Sequence, residues 1–392
     1  MSEAVMILSA KRTPVGAFMG ALAPLSAPQL GSAAIRAAVE AAGIEASELE
    51  ETLMGCVLPA GLGQAPARQA ALGAGVPIQV PATTVNKMCG SAMKAIMIGA
   101  DQIASGGAKL LVAGGLESMS NAPYLLPKAR AGYRMGHGEV LDHMFYDGLQ
   151  SPWDGRLMGC FADATAEKYG FTRAAQDAFA AESVRRAQRA LQAGEFDAEV
   201  TPVSVKGRKG VTLVARDETP ANCDLSKITQ LKPAFGPNGT VTAASSSSIS
   251  DGAAAVVLAR ESTASQAKLR PMARLVAWSS SALAPEWFTI APVAAIEKVL
   301  KIAGWGVGEV DLFEINEAFA VVAMAAMQDL NIDHQRLNVN GGACALGHPI
   351  GATGARIITT LIHALRKRGG RRGVAALCIG GGEATAVAIE LL

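Results

Sequence analysis

The sequence has few aromatic residues and almost no net charge. Its 392 residues include ten Phe, four Trp and four Tyr, and 35 Lys and Arg nearly balance 34 Asp and Glu. The longest basic run is Arg366-Lys367-Arg368, so there is no electrostatic reason to expect binding to nucleic acid. A small anionic ligand remains compatible with this composition, because it needs only a local patch of positive charge.

Cysteine motifs and long apolar runs are also lacking. None of the six cysteines belongs to a Cys-x-x-Cys pair, which predicts a cytoplasmic protein with reduced thiols and without structural zinc or an iron–sulfur cluster. Apolar stretches such as Phe319–Met327 are far shorter than the ~20 residues that cross a bilayer. The N-terminus lacks the basic and apolar regions of a signal peptide, so we expect a soluble protein that does not bind membranes.

Glycine (42 residues) and aliphatic side chains are abundant, and they form two internal echoes. In the first echo, Ala34–Gly55 resembles Ala295–Asn316. Each segment reads as a helix closed by glycine, a polar turn and a short apolar strand, Leu53–Val57 or Leu312–Ile315.

The second echo has the same order of elements. Ser91–Ser105 and Gly351–Arg368 each read as a helix closed by Gly-Gly, followed by the buried strands Leu110–Ala113 and Ala375–Ile379 and by another Gly-Gly. Helix, glycine and strand also recur by chance in α/β proteins. Two echoes in the same order nevertheless favour a duplicated α/β unit with a pseudo-twofold axis.

The residues between the echoes differ in character. Met119–Thr242 is irregular and partly polar, with one clear amphipathic helix over Thr172–Leu191 that has Thr172 as its N-cap. Such an insertion is typical of a region that covers a ligand. We therefore predict an N-terminal half formed by residues 1–118 and 243–268, a covering loop domain at 119–242 and a C-terminal half at 269–392.

Cys89 is the first candidate for chemistry. It follows turn residues and precedes a helix predicted over Ala92–Ile103, so we expect the positive end of the helix dipole to lower the pKa of its thiol. The next residue, Gly90, would let a substrate carbonyl approach the backbone closely. The alternative is a buried structural cysteine, because most free cysteines are of that kind.

Three further residues lie in loops or at strand ends. His348 lies between glycines and beside a proline, where an imidazole can accept the proton of a thiol, although a hydrogen-bonded loop histidine is the alternative. Cys378 ends a strand at Gly380–Gly382, where bare amides can form an oxyanion hole. Asn316 is expected to cap a helix that opens after the strand Asp311–Ile315.

The sequence gives poor support for a dinucleotide site or a metal site. The glycine-rich stretch Gly347–Gly354 contains no G-x-G-x-x-G, and the residues about twenty positions further on are Arg366–Arg372 instead of an acid. No Walker motif occurs, and the five histidines lack the spacing of a metal-binding helix. A nucleotide-dependent oxidoreductase is therefore disfavoured, and no metal is expected.

Together these segments resemble the four signature blocks of the thiolases, in the same order and across the whole chain. The blocks are Asn86–Ser91, Asn316–Phe319, Asn340–Pro349 and Cys378–Gly382. The length and motif positions resemble the biosynthetic acetyl-CoA acetyltransferase type of the family. The resemblance implies a duplicated five-layer α-β-α-β-α fold with an inserted loop domain, and a homotetramer that is a dimer of dimers.

The resemblance also implies a mechanism. His348 would take the proton of Cys89, which forms an S-acyl intermediate with an acyl-CoA. Cys378 would remove an α-proton from acetyl-CoA for a Claisen condensation to acetoacetyl-CoA, and the reverse reaction is thiolysis of short 3-ketoacyl-CoA. One oxyanion site would consist of His348 and a water held by Asn316, the other of the backbone N–H groups of Cys89 and Gly380. Coenzyme A would be a substrate or product, with no permanently bound cofactor.

For substrate binding, the resemblance points to seven further residues: Met158, Phe235, Ala243, Ser247, Phe288, Ala318 and Phe319. Three features depart from the family pattern. Ala243–Ser247 reads Ala-Ala-Ser-Ser-Ser in place of Ala-Gly-Asn-Ala-Ser, the arginine that often contacts adenosine is not evident near Pro220, and Phe288 stands where many relatives have Met. The bulkier, stiffer Phe288 predicts a preference for short acyl chains.

The same residues disfavour two other functions and leave a third one open. A ketoacyl synthase-like condensing enzyme is disfavoured because Cys378 lies in its glycine turn. A non-catalytic thiolase-like subunit that binds lipid or a partner protein is disfavoured because folding does not require Cys89, His348 and Cys378 together. A thiolase for longer 3-ketoacyl chains remains open, as does the direction of the reaction in the cell.

Overall fold

The computed structural model describes residues 3–208 and 210–392. Strands β1 to β14 are Val5–Arg12, Gly16–Ala17, Glu51–Gly55, Ala82–Val85, Leu110–Ser118, Tyr124–Leu125, Leu141–Asp142, Val203–Gly207, Gly210–Val214, Ser250–Arg260, Ala273–Ala282, Leu312–Ile315, Arg372–Ile379 and Glu383–Leu391. Helices α1 to α11 are Ala27–Ala42, Pro66–Gly73, Ser91–Ser105, Met158–Tyr169, Arg173–Gln192, Glu218–Asn222, Glu261–Gln266, Ala291–Ala303, Ala320–Leu330, Ala343–Leu346 and Thr353–Arg368.

The main sheet has a symmetric strand order. Its hydrogen-bonded neighbours follow the order β12-β13-β14-β11-β1-β10-β5-β3-β4, and β2 pairs with β10. Moving outward from the central β11–β1 pair, each half has two antiparallel pairings followed by parallel pairing, two pairs in the N-terminal half and one in the C-terminal half. A duplicated unit predicts this symmetry.

The echoes in the sequence correspond to matching elements. The succession of α1 and β3 in the first half has its counterpart in α8 and β12, and that of α3 and β5 has its counterpart in α11 and β13. A left-handed glycine closes each of these four helices, namely Gly43, Gly106, Gly304 and Gly369. The predicted duplication is confirmed.

Alternation along the strands divides the core into layers. On β5, Leu111 and Ala113 join the core that contains α3 and α11, whereas Leu110 and Val112 join the core beneath α1. Helices α8 and α9 contribute to a third core on the other side of the C-terminal half of the sheet. The layers are thus α1 with α2, one half-sheet, α3 with α11, the other half-sheet, and α8 with α9. This is the expected α-β-α-β-α arrangement.

The central helices α3 and α11 approach each other backbone to backbone. At Gly354, in the first turn of α11, a Cβ would overlap the backbone of Met93 in the first turn of α3. Only glycine permits so close an approach. Because Cys89 comes just before α3 and His348 just before α11, this contact brings the two candidate residues to the same region of the molecule.

Residues 119–242 contain more regular structure than the sequence analysis predicts. The expected helix is α5, whose cap is the Thr172 hydroxyl, which accepts from the Ala175 amide at 3.1 Å. Helix α4, the β8–β9 hairpin and a π-helix over Met144–Leu149 are not predicted. The start of helix α4 has no capping signal in the sequence, because its N-cap residue, Leu157, offers no side-chain hydrogen bond.

A buried ion network ties this segment to both halves of the fold. Arg12 on β1 is fully buried, and its Nε donates to Glu199 at 2.6 Å. Its two Nη atoms donate to Asp217 at 2.7 and 2.9 Å. Thr360 on α11 also donates to Glu199, at 3.0 Å. The network therefore links β1, residues 119–242 and the central helix layer.

Replacing Arg12 by Met leaves Glu199 and Asp217 buried without their partner. We expect Arg12→Met to lower the free energy of unfolding by about 3–5 kcal/mol, because one side of a buried ion network then carries uncompensated charge. Arg185→Met is the control, since Arg185 pairs with Glu182 at the surface of α5 and should cost less than about 1 kcal/mol. Equal denaturation midpoints for the two variants would contradict this expectation.

Candidate active site

Cys89 lies at the end of a tight turn that leads into α3. The Asn86 side chain accepts from the Met88 amide at 3.0 Å, and Ser91 Oγ accepts from the Lys87 amide at 2.9 Å. Met88 has a φ of +47°, which residues other than glycine rarely adopt. These side-chain bonds hold the strained backbone that carries the Cys89 thiol.

His348 lies on the loop between α10 and α11. Its backbone N–H donates to the carbonyl of Ser248 at 3.1 Å. The preceding Gly347 has a φ of +100°, and a Cβ there would overlap Ser250 Oγ. The loop therefore requires glycine at this position, as its glycine-rich sequence suggests.

The hydroxyl of Thr353 decides which nitrogen of His348 carries the proton. It donates to the Pro349 carbonyl at 2.9 Å, and so it accepts from His348 Nδ1 at 2.6 Å. The neutral ring then has its lone pair on Nε2. That nitrogen is buried, without a hydrogen-bond partner among the described residues, and is the one available to take a proton.

Burial sets the charge state of the site. It lowers the pKa of His348 to about 3, with a further contribution from the charge of Arg356. It raises the pKa of the Cys378 thiol well above its usual range, and the charge of a Cys89 thiolate adds to this effect. Burial also raises the pKa of Cys89, although the backbone amides of Gly380 and Cys89 act against it. The resting site thus holds two thiols and a neutral imidazole.

The expectation that the helix dipole lowers the pKa of Cys89 is therefore wrong. A helix N-terminus and two amides favour the thiolate, but removing the thiolate from water costs more. The sequence places Cys89 before a helix without showing how far its surroundings desolvate the thiol, although the residue as a whole is only partly buried.

Ten of the candidate residues line one cavity of about 360 Å³, whereas Asn316 is not part of its described lining. Cys89, His348 and Gly380 line it. The seven residues expected to bind substrate line it as well: Met158, Phe235, Ala243, Ser247, Phe288, Ala318 and Phe319. Cys378 is fully buried near Cys89 at the end of β13 and is not part of the described lining.

Asn316 does not cap α9, so that expectation is wrong. The helix begins four residues later, at Ala320, and the Asn316 N–H instead donates to the Ala376 carbonyl at 2.9 Å, which continues the pairing of β12 with β13. The side chain is buried, and within the described part of the chain neither of its amide atoms has a hydrogen-bond partner. A buried amide of this kind can bind a polar group or a water.

Phe288 is fixed in the cavity wall by other aromatic rings. It packs edge-to-face against Phe161, with ring centroids 6.3 Å apart, and against Phe319 at 6.4 Å. Phe319 packs in the same way against Phe235 at 5.9 Å. This interlocking stabilises the wall and leaves Phe288 little freedom to turn aside.

Several residues of the site are not among those predicted from the sequence. The π-helix Met144–Leu149 supplies part of the cavity lining through Phe145, Gly148 and Leu149. Such helices often occur at functional sites, but the segment has no sequence signal for one. Thr353 could have been predicted, because it begins the helix that follows the His348 loop, where its hydroxyl can reach the imidazole.

Residues 3–208 and 210–392 contain no helix long and apolar enough to span a bilayer. They also contain no group of three His, Cys, Asp or Glu side chains arranged to hold a metal ion.

Comparison with known proteins gives matches over the whole chain. The family model for the thiolase N-terminal domain matches residues 5–262, and that for the thiolase C-terminal domain matches residues 269–391. A probable acetyl-CoA acetyltransferase of Dictyostelium discoideum is 49% identical over 100% of this chain and 94% of its own length.

Solved structures agree with these matches. An acetyl-CoA acetyltransferase from Bacillus anthracis superposes with a TM-score of 0.97 at 40% identity, covering 100% of this chain and 99% of the other. A thiolase from Ascaris suum, solved in complex with coenzyme A, superposes with a TM-score of 0.95 at 42% identity and covers both chains completely.

The Thr353 hydroxyl should control the reactivity of Cys89. We expect Thr353→Val to slow the alkylation of Cys89 by iodoacetamide at neutral pH about tenfold, because Nδ1 loses its acceptor and Nε2 is less often the free base. Thr353→Ser keeps the hydroxyl and should react like the wild type. The rate is followed by mass spectrometry of the peptide that contains Cys89, and equal rates for Thr353→Val and Thr353→Ser would refute the assignment.

Proposed function

The chain belongs to the thiolase family, and we propose that it transfers acyl groups between CoA thioesters. It condenses two acetyl-CoA to acetoacetyl-CoA and, in reverse, cleaves short 3-ketoacyl-CoA with CoA. The observation that carries the proposal is the shared cavity, which is lined by Cys89, Gly380 and a neutral His348 with its lone pair on Nε2. A nucleophile, a base and an amide donor thus surround one space of the size of a small acyl group and part of its CoA arm.

In the first half-reaction, His348 Nε2 takes the proton of Cys89 Sγ, and the sulfur attacks the thioester carbonyl of acetyl-CoA. The bond from the carbonyl carbon to the CoA sulfur breaks, which leaves the acetyl group on Cys89. Because burial disfavours a free thiolate, proton transfer accompanies the attack instead of preceding it.

The first half-reaction also prepares the second base. The imidazolium of His348 brings a positive charge to Cys89, whose own charge acts on Cys378, and added positive charge in the site favours the thiolate of Cys378. The departing CoA thiolate takes the proton of Cys378 and leaves as a neutral thiol. The site then holds acetyl-Cys89, a protonated His348 and an ionised Cys378.

In the second half-reaction, the Cys378 thiolate takes an α-proton from another acetyl-CoA. The resulting carbanion attacks the acetyl carbonyl on Cys89, a carbon–carbon bond forms, and the bond to the Cys89 sulfur breaks. His348 returns its proton to Cys89. All three residues regain their resting protonation states, and acetoacetyl-CoA leaves.

Two thioester oxygens become negative during this cycle, and each needs donors. The amides of Cys89 and Gly380 already interact with the Cys89 sulfur, which supports their role for the oxygen of the acyl group on Cys89. For the oxygen of the second acetyl-CoA, protonated His348 acts with a water held by Asn316. The buried side-chain amide of Asn316, which is unpartnered among the described residues, supports this role.

We extend the proposal to the organisation of the protein: a cytoplasmic homotetramer that is a dimer of dimers, divided at residues 118, 242 and 268 into two halves and a covering domain, with no permanently bound cofactor. Large exposed apolar side chains on the covering segment, Tyr124, Leu126, Tyr133 and Met135, are consistent with a surface that another subunit covers. The six free cysteines are consistent with a reducing compartment.

The acyl-transfer role is tested by removing the nucleophile. Cys89→Ala should lower the rate of acetoacetyl-CoA thiolysis, followed by loss of its absorbance on addition of CoA, by at least about 10³-fold. A thiol alkylator should abolish the wild-type activity in the same assay. Cys223→Ala, which changes a half-buried cysteine outside the cavity, should leave the rate unchanged. Normal thiolysis by Cys89→Ala would overturn the proposal.

The rigid Phe288 should restrict acyl length. For wild-type protein we expect kcat/KM for thiolysis to fall from four- to eight-carbon 3-ketoacyl-CoA. Phe288→Ala should raise the value for eight carbons relative to four by about tenfold, because it opens the aromatic wall. Phe171→Ala, at a ring that lies outside this cavity, is the control. A wild-type rate that rises with chain length would indicate a longer-chain thiolase instead.

A further inference from the structure

Glu117 is a buried carboxylate that the reaction above does not use. It is the penultimate residue of β5, in a strand whose other residues are small or apolar except for Ser118, and it has no solvent exposure. A lone carboxylate in such a place costs free energy unless hydrogen bonds compensate it. Its contacts therefore indicate what it is for.

The carboxylate accepts hydrogen bonds from both halves of the molecule. Oε2 accepts from the Val57 amide at 3.0 Å and from the Gly351 amide at 2.9 Å, and Oε1 accepts from the Leu58 amide at 3.2 Å. The Cys56 thiol makes a longer contact at 3.8 Å. Val57 and Leu58 follow β3 of the N-terminal half, whereas Gly351 belongs to the loop that carries His348.

These hydrogen bonds of Glu117, which we call the Glu117 clamp, lie close to both His348 and Cys89. Gly351 is three residues from His348, and the intervening Ile350 packs in one apolar cluster with Val57 and Leu58. Cys89 packs against the same cluster, and the charge of Glu117 is close enough to contribute to the raised pKa of the Cys89 thiol. Glu117 thus joins the loop of the base to the part of the N-terminal half that supports the nucleophile.

The carboxylate form is suited to this role. The Gly351 backbone approaches so closely that a Cβ would lie 2.5 Å from Oε2, so the Gly351 N–H is shielded from water. Burial raises the pKa of Glu117 to about 7, while the three amides act against this shift. An apolar side chain of the same size would leave three buried donors without an acceptor.

We propose that Glu117 is a positioning residue that holds the His348 loop of one half at the distance from Cys89 that proton transfer requires. The inference rests on the proposed acyl transfer. Its action is through the Gly351 amide and the backbone of the loop. Both of its carboxylate oxygens accept from backbone amides, and Glu117 is not part of the described lining of the cavity, so we expect substrate binding not to depend on it.

Two substitutions at Glu117 remove different numbers of the three hydrogen bonds in the Glu117 clamp. In Glu117→Gln the amide oxygen can still accept from Val57 and Gly351, while the NH₂ group faces the Leu58 N–H, so one of the three bonds is lost. In Glu117→Met all three are lost. We expect kcat for thiolysis to fall about threefold to tenfold in the first and about 10²-fold in the second, with KM unchanged, because displacement of a catalytic group by about 1 Å costs about this much.

Alkylation of Cys89 gives a readout that does not require turnover. Iodoacetamide reacts faster when His348 can take the thiol proton, so the rate for Cys89 should fall in the same order, wild type, Gln, Met. Glu199→Gln is the matched control, since Glu199 is equally buried, accepts from Arg12 and Thr360, and does not line the cavity in the described structure. We expect this control to lower the melting temperature and to leave kcat and the alkylation rate unchanged.

The outcomes separate this inference from the proposed function. If wild-type protein does not cleave acetoacetyl-CoA, the function fails, while graded alkylation rates still support the positioning role. If either Glu117 variant folds with a lower melting temperature but keeps the wild-type kcat and alkylation rate, Glu117 is only structural and the inference is overturned. A rise in KM with unchanged kcat also overturns it. Should Glu117→Met not fold, Glu117→Gln decides by the same criteria.

Discussion

The site depends on the close contact between the starts of α3 and α11. Each helix belongs to one of the duplicated halves, and each is preceded by a residue that the proposed chemistry needs, Cys89 or His348. The two backbones approach as they do at Met93 because residue 354 is glycine. A larger residue there would separate the halves where the sulfur and the imidazole have to meet. The duplication therefore provides the site as well as the scaffold, since neither half contains both groups.

A second constraint is the low polarity of the surroundings. Burial outweighs the helix dipole at Cys89, and it keeps His348 neutral with its proton on Nδ1 beside Thr353. A neutral resting site costs less desolvation energy than a preformed thiolate–imidazolium pair. In the proposed reaction, charge develops only while a thioester occupies the cavity, where the amides of Cys89 and Gly380 can stabilise it. Reactivity is thereby coupled to the presence of the substrate.

Much of the fold follows from local patterns in the sequence. Apolar periodicity and closing glycines predicted the paired helices and strands of both halves, and the resemblance carried by the four motifs predicted ten of the residues that line the cavity. Other features depend on tertiary structure that no local pattern contains. The pKa of Cys89 depends on burial, Asn316 lies in an extension of β12 and not at a helix start, and α4 has no capping side chain. The sequence does contain one signal for Glu117. An acidic residue within an apolar strand needs several hydrogen-bond donors around it, and this predicts a buried polar contact there.

The ion network at Arg12 has a consequence for how ligands enter. Glu199 and Asp217 anchor the covering segment to β1, and Thr360 joins Glu199 to the central helices. Moving residues 119–242 outward as a unit would expose paired charges and break several hydrogen bonds at once. The part of the cavity wall that these residues form is therefore in place before a ligand binds. Binding of a thioester then gains no free energy from domain closure. Selectivity between acyl groups therefore has to come from the fixed shape of the cavity.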